Sequence, residues 1–133
     1  MYNAHKITDK VAAGKLAIGS HVGFDSPFVT EMIAGCGFDF IWIDGEHSAI
    51  DRKDIQNHLM ACRAAGAAGI VRVPWNDPVI IKAILDMGAD EETLAICRAF
   101  CTQESGARIL TPQQLLELME GTEVCKTFRS ILY

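Results

Sequence analysis

Residues 38–47 read FDFIWIDGEH, and this stretch decides the fold. Its first part, Phe38–Ile43, is apolar at nearly every position and does not alternate between apolar and polar residues. A strand of this kind is buried on both faces, as in a parallel sheet that helices cover. The polar run Asp44–His47 begins where the strand ends. The stretch therefore predicts a parallel α/β fold with chemically active side chains at a strand end.

Two more apolar runs predict strands before and after this one. They lie at Leu16–Gly19 and Gly69–Val73, and amphipathic segments separate the three strands. Such alternation is typical of consecutive right-handed βαβ units. A doubly wound sheet and a (β/α)8 barrel look the same over three units, so the rhythm alone leaves both open.

The connecting helices are predicted from their end signals. The first begins at Ser26-Pro27, the second runs from Asp51 to Gly66, and the third runs from Asp77-Pro78 to Gly88. Ser and Asp are favoured caps, Pro is favoured at the first helical position, and Gly commonly ends a helix. In the first helix the apolar stripe predicted to face the core is formed by Val29, Met32 and Ile33.

The alternation of predicted strands and helices stops after Gly88-Ala89, where a fourth strand is expected. The chain instead continues with Asp90 and a segment that predicts helices. We therefore divide it into residues 1–90, with about three to four βα units, and an atypical, largely helical tail at residues 91–133. The chain has 133 residues, whereas a complete barrel takes about 250.

Composition restricts the functional classes. Half of the residues are hydrophobic (50%) and the formal net charge is −5. With no basic run, nucleic acid is not expected as a partner. The apolar segments are shorter than the roughly 18 residues that a membrane span needs, and no secretory signal is evident. A cytoplasmic location is expected.

Several reactive or bulky residues are given structural interpretations. The five cysteines include no C-x-x-C pair, so neither a disulfide framework nor a structural zinc site is predicted. Trp75 and the helix methionines Met32, Met60 and Met87 are interpreted as packing residues. Three histidines lack an acidic neighbour in a predicted pocket and are interpreted as surface or loop residues: His5, His21 and His58.

The side chains best suited to chemistry follow the second and third strands. His47 stands beside the carboxylates of Asp44 and Glu46, which suits acid/base work near neutral pH. Arg72 offers a charged, planar donor fork for a carboxylate or an enolate oxygen. Two plainer interpretations stay open at this point. In the first, residues 44–47 form only a solvated turn; in the second, Arg72 only pairs with a neighbouring Asp.

Four motifs occur in order along the chain: G-x-GFDF-x-x-ID-x-EH at Gly35–His47, VRVP at Val71–Pro74, NDP at Asn76–Pro78 and LD-x-GA at Leu85–Ala89. Over about residues 10–90 they resemble the HpcH/HpaI aldolase/citrate lyase family, the class II pyruvate aldolases that include 4-hydroxy-2-oxoheptanedioate and 2-keto-3-deoxy-sugar-acid aldolases. The resemblance covers the N-terminal part of that family only.

The resemblance implies part of a TIM barrel and a lyase that cleaves 4-hydroxy-2-oxo acids to pyruvate and an aldehyde. His47 is then the acid/base, Asp86 pairs with it and orients its ring, and Arg72 binds the 2-oxo oxygen and stabilises the enolate. Asp44 and Glu46 take accessory positions. The implied cofactor is a divalent cation, Mg²⁺ or Mn²⁺, and the implied partners are small 2-oxo acids and aldehydes, with a homo-oligomer as a further expectation.

The chain also departs from the family. The Q-I-E-type and G-x-x-D-L-type strand ends that supply the family's metal ligands do not occur, so no metal ligand is assigned here. A frameshift, an internal deletion or a truncated gene would each give this pattern. Two alternatives to an aldolase therefore remain: a catalytically inactive remnant that serves as an interaction or oligomerisation module, and an unrelated flavodoxin-like α/β protein that binds a ligand at its strand ends.

Overall fold

The computed structural model describes residues 3–75 and 77–89, so the predicted tail at residues 91–133 lies outside the described residues. The elements alternate regularly after an initial helix. In chain order they are α1 (His5–Ala12), β1 (Gly19–Val22), α2 (Pro27–Gly35), β2 (Phe40–Asp44), α3 (Arg52–Ala65), β3 (Ala68–Arg72) and α4 (Pro78–Asp86).

The strands form one parallel sheet in the order β1-β2-β3. Gly19 of β1 pairs with Phe40 of β2, which in turn pairs with Ala68 of β3. Each strand is joined to the next by a helix, as parallel strands require. The predicted class, a partial (β/α) barrel of consecutive βα units, is confirmed for the described ranges.

Each face of the sheet has its own core. On one face, which we call the α2–α3 face, the buried strand residues Ile41, Ile43 and Val71 pack with Ala34 of α2 and Leu59 of α3. Burying these side chains is the main force that holds the helices on the sheet.

On the opposite face, which we call the α1 face, Ile7 packs with Ile70, Phe40 and Trp42. Gly19 is needed there because the Phe40 ring lies across it, and a Cβ at this position would fall 2.1 Å from a ring carbon. Among the described helices none is long and apolar enough to cross a bilayer.

The helix starts that the sequence predicts are confirmed in position, although Ser26 before α2 makes no side-chain capping hydrogen bond. Asp51 and Asp54 form a capping box, in which each side chain accepts a hydrogen bond from the other residue's backbone N–H. Gly66 ends α3 with a left-handed φ of 81°. Asp77 caps α4 by accepting from the amides of Val79 and Ile80.

Other expectations about packing are wrong. Helix α1 was not predicted, because its stretch is largely polar, and β1 starts where the predicted strand ends. Helix α2 buries Thr30 and Ala34; of the predicted stripe only Ile33 packs against the core, whereas Val29 is 38% and Met32 is 58% exposed. Periodicity alone cannot fix the buried side of a short helix that is apolar nearly all round.

Two more packing interpretations fail. Met60 is 57% and Trp75 is 75% exposed, so neither packs in the core of the described part of the chain. His58, interpreted as a surface residue, is completely buried. A polar side chain is buried at low cost only when its hydrogen bonds are satisfied, and this one has two partners, which a sequence does not show.

Candidate active site at the carboxyl edge of the sheet

The strand register brings three polar side chains to one place. Asp44, the last residue of β2, lies opposite Arg72, the last residue of β3, in the strand register. His21 of β1 lies opposite Trp42, which is two positions before Asp44. Because alternate residues of a strand share a face, His21, Asp44 and Arg72 all emerge from the α1 face at the carboxyl edge. In barrels of this architecture the carboxyl edge is where active sites form.

Asp44 is the centre of this group. Its side chain is 5% exposed, and it binds the Arg72 guanidinium through two donors. Arg72 Nε donates to Asp44 Oδ1 over 2.9 Å, and Arg72 Nη2 donates to Oδ2. His21 Nε2 lies 3.3 Å from the same Oδ2. A forked arginine–carboxylate pair fixes the plane of the guanidinium as well as its position.

The turn after β2 is also organised by Asp44. The backbone amides of Glu46 and His47 donate to Asp44 Oδ1 over 3.1 and 3.0 Å, and the Ser48 hydroxyl donates to the Asp44 carbonyl. Gly45 donates from its amide to the Arg72 carbonyl at 3.0 Å. A Cβ on residue 45 would lie 2.8 Å from that carbonyl oxygen, so glycine is required. The D-G-E-H segment is therefore an ordered turn tied to two strands.

The side chains of Glu46 and His47 lie next to the Asp44–Arg72 pair. Glu46 Oε2 lies 3.4 Å from Arg72 Nε and 3.6 Å from His47 Nε2. The His47 side chain is 68% exposed, whereas those of Glu46 and Arg72 are about one-third exposed, at 32% and 33%. The site thus has an accessible imidazole beside a carboxylate and beside a guanidinium that Asp44 holds in place.

The charges of the central pair stabilise each other. The guanidinium of Arg72 holds the pKa of Asp44 far below its ordinary value, and the amides of His47 and Glu46 and the His21 ring add to this effect against the opposing effect of burial. Conversely, the hydrogen bond from Asp44 raises the pKa of Arg72. Both groups are therefore ionised, and the arginine is a permanent cation at the edge.

The structure brings together four of the five predicted site residues: Asp44, Glu46, His47 and Arg72. It does not bring Asp86 to His47 within one copy of the chain. Asp86 is the last residue of α4, 65% exposed, and its carboxylate pairs with Lys82 Nζ at 2.7 Å. Helix α4 runs back from the carboxyl edge. Its end lies near Arg63, which is in the last turn of α3 and donates from its guanidinium to the Gly88 carbonyl oxygen. Asp86 therefore lies at the amino edge.

Sequence reasoning missed His21 as a member of the group. With the strand placed at Leu16–Gly19, His21 fell in a loop. In the structure it belongs to β1 and contacts Asp44, although its own side chain is 59% exposed. The usable signal was positional: His21 lies at the end of a strand whose neighbours also end in polar residues.

A divalent cation does not fit the described residues. They include no group of three or more His, Cys, Asp or Glu side chains able to hold a metal ion. The Asp44 carboxylate already accepts from Arg72 and from two turn amides, so its oxygens are occupied as acceptors. The sequence assigns no metal ligands, and the described site supplies no set of its own.

A parallel βα array with an arginine–carboxylate pair and an exposed histidine at its carboxyl edge defines a barrel-type α/β protein with an enzyme-like site. The family model described as HpcH/HpaI aldolase/citrate lyase matches residues 18–94. This match covers more than half of the chain, and the chain belongs to that family.

Known proteins similar to the chain agree with this assignment. The chain is 41% identical over 96 residues to a 4-hydroxy-2-oxo-heptane-1,7-dioate aldolase of Salmonella dublin, and the matched residues cover 72% of this chain and 35% of the relative. It is 38% identical over 104 residues to a 5-keto-4-deoxy-D-glucarate aldolase of Salmonella paratyphi A, and the matched residues cover 78% of this chain and 40% of the relative. The chain thus spans well under half the length of these relatives.

A solved structure shows the same fold. The crystal structure of citrate synthase SbnG matches with a TM-score of 0.58 and 32% identity, over 86% of this chain and 50% of that one. The relatives as a group place the chain in a lyase and aldolase family.

Proposed function

We propose that the chain provides the acid/base and enolate-binding part of an aldolase that cleaves 4-hydroxy-2-oxo acids to pyruvate and an aldehyde. The observation that carries the proposal is the Arg72 guanidinium, fixed by Asp44 beside the exposed His47. The names of the two aldolase relatives support the same class of substrate, a hydroxylated 2-oxo acid.

In the cleavage direction, His47 takes the proton of the substrate's 4-hydroxyl group. The electron pair of the O–H bond forms the aldehyde carbonyl, the C3–C4 bond breaks, and its electron pair becomes the enolate of pyruvate. The protonated His47 then gives this proton to C3 of the enolate, which yields pyruvate and restores the uncharged imidazole. An exposed imidazole next to a carboxylate suits the proton transfers, because histidine is the side chain most often used for general acid–base catalysis.

Arg72 is proposed to bind the 2-oxo oxygen, on which negative charge develops. Asp44 takes two of the five N–H donors of the guanidinium, and the remaining donors suit an enolate oxygen. Because Asp44 also fixes the guanidinium plane, these donors need no reorganisation when the charge appears, which is the condition for effective electrostatic stabilisation.

Glu46 is proposed as the neighbour that steadies His47, since its carboxylate lies between the imidazole and Arg72. Family resemblance implies Mg²⁺ or Mn²⁺. Because the described residues include no group of three or more metal-ligating side chains, none of these steps is assigned to the metal.

The proposal is tested by exchange of the methyl protons of pyruvate in D₂O, followed by NMR with Mg²⁺ or Mn²⁺ present. Wild-type chain is expected to catalyse exchange, and both His47→Ala and Arg72→Ala are expected to abolish it. Lys10→Ala is the matched control, because Lys10 pairs with Asp39 at the opposite edge of the sheet. Equal rates in all four proteins would overturn the proposal.

A second candidate is an inactive family member that serves as an interaction or oligomerisation module. It is favoured by exposed apolar side chains on α2, where Phe28 is 68% and Met32 is 58% exposed, because such a surface suits contact with another chain. Absence of exchange in wild type, together with a stable homo-oligomer measured by light scattering, would establish this candidate in place of the aldolase.

A further inference from the structure

The buried histidine His58 connects a helix on the α2–α3 face to the loop that borders the site. It lies in α3 with no exposed surface, and both of its ring nitrogens are within hydrogen-bond distance of a partner. Nε2 lies 2.8 Å from the carbonyl oxygen of Phe24, which is 34 residues away in sequence. Nδ1 lies 2.8 Å from the hydroxyl of Thr30, itself completely buried in α2.

These partners determine where the ring proton sits. A carbonyl oxygen can only accept, so Nε2 must carry the proton and donate it to Phe24. In the uncharged ring Nδ1 then accepts from the Thr30 hydroxyl. The Phe24 ring packs edge-on against the imidazole, with ring centroids 6.2 Å apart and planes at 82°. The histidine is thus held by α2 on one side and holds the loop on the other.

The loop that His58 holds, residues 23–25 between β1 and α2, lies directly beside the candidate active site. A Cβ placed on Gly23 would fall 3.3 Å from the Ser48 Cβ and 3.5 Å from the Cε1 atom of His21. His21 contacts the Asp44 carboxylate, and Ser48 donates to the Asp44 carbonyl. A shift of this loop would therefore reach both neighbours of Asp44.

We infer that His58 is a positioning residue: its Nε2–H···O bond to Phe24 fixes the β1–α2 loop as one wall of the site mouth. A leucine of similar size would fill the same space but would leave the Phe24 carbonyl without this donor, which is costly for a partly buried group. The effect on turnover rests on the proposed function, whereas the effect on the loop does not.

Two substitutions separate the two ring nitrogens. In His58→Gln the side-chain amide reaches the place of Nε2 and retains a donor for Phe24, whereas in His58→Asn the shorter amide reaches only the place of Nδ1 near Thr30. Cys62→Ala is the matched control, because Cys62 is buried in the same helix and packs on the sheet core instead of the loop. Thermal melts verify that each variant folds.

The readout is the ¹⁵N order parameter of the Gly23–Asp25 amides in the full chain. Wild type, His58→Gln and Cys62→Ala are expected near the rigid value of about 0.85, and His58→Asn below about 0.6. If proton exchange into pyruvate is observed, kcat/KM is expected to fall about tenfold in His58→Asn alone, because small misplacements at a site are costly.

Equal order parameters in His58→Asn and His58→Gln would overturn the inference. If His58→Asn does not fold, the ¹⁵N shifts of the wild-type ring test the bond: a proton on Nε2 is expected, and an Nε2 without a proton overturns the hydrogen bond to Phe24. If wild type does not exchange the methyl protons of pyruvate, the proposed function is refuted, while the order parameters still test whether His58 fixes the loop. A loosened loop with unchanged kcat/KM would refute the link to the site.

Discussion

The two edges of the sheet each contain a buried aspartate paired with a cation, yet they are built differently. At the amino edge, Asp39 binds Lys10 Nζ at 2.6 Å and accepts from the Ile18 amide at 2.9 Å. At the carboxyl edge, Asp44 binds the Arg72 fork and the amides of its own turn.

The difference teaches how to separate a structural carboxylate from a functional one. Asp39 ties α1 and the residue before β1 to the sheet, through a 41% exposed lysine and the Ile18 amide. Asp44 orients a planar cation beneath an exposed histidine and a second carboxylate. In barrels the amino face serves stability and the carboxyl face serves chemistry.

The largest expected effect comes from removing the exposed histidine at the carboxyl edge. His47→Ala is expected to lower the rate of pyruvate proton exchange about 10³-fold, the size typical of a lost acid/base group. Its free energy of unfolding is expected to change by less than about 0.5 kcal/mol, because the side chain is largely exposed. Exchange is measured by NMR and stability by urea unfolding.

The matched change at the amino edge is Lys10→Ala, which is expected to leave the exchange rate as in wild type. A comparable loss of exchange in Lys10→Ala would show that the two edges do not differ in function.

The next effect is on stability and compares the two aspartates. Asp44→Asn is expected to lower the free energy of unfolding by about 2 kcal/mol, because it removes the carboxylate that pairs with the Arg72 fork and leaves Arg72 only its longer contact with Glu46. Asp39→Asn is expected to cost about 1 kcal/mol, since an amide oxygen still accepts from Ile18 and only a partly exposed ion pair is lost. Urea unfolding of both variants measures the difference, and a reversed order would contradict the comparison.

A smaller effect is expected from pH. The pKa of Asp44 is lowered in the folded state, so the unfolded chain binds more protons in acid. The stability from this group is therefore present above the ordinary carboxyl pKa of 3.8 and is lost as the pH falls below it. Asp44→Asn is expected to reduce the slope of the free energy of unfolding against pH in this acid range by at most about 1.4 kcal/mol per pH unit. Urea unfolding at a series of pH values measures this slope, and the same slope in wild type and variant would contradict the prediction.

The smallest effect is expected at the exposed end of α4. Lys82→Ala removes an i,i+4 pair with Asp86 in which both side chains are mostly exposed. Its cost is expected to stay below about 0.5 kcal/mol in urea unfolding. A loss of several times that size would mean that this pair is more than a surface contact.

Local rules explain what the sequence could predict. The uninterrupted apolar stretch of β2 indicates a strand buried on both faces, and Asp51 and Gly66 mark the ends of α3 by chemistry that acts within a few residues. The grouping of Asp44, Glu46, His47 and Arg72 also follows, because parallel strands present their ends at one edge.

What failed depended on tertiary contacts. His21 was missed because a short strand with polar residues has no clear pattern, and His58 because its burial depends on partners in α2 and in the loop after β1. Trp75 was misjudged because its exposure is decided by what surrounds it and not by its own residue type. The predicted pairing of Asp86 with His47 came from family motifs and stays a prediction, since the structure shows only that Asp86 pairs with Lys82 within one copy of the chain.

The most direct test of the account is the exchange of pyruvate methyl protons in Arg72→Lys compared with wild type. Lysine keeps the charge but not the fork that Asp44 orients. The account predicts exchange in wild type and a loss of about 10²-fold in Arg72→Lys, the size typical of one lost oxyanion donor, with Lys10→Ala as active as wild type. Full exchange activity in Arg72→Lys would contradict it.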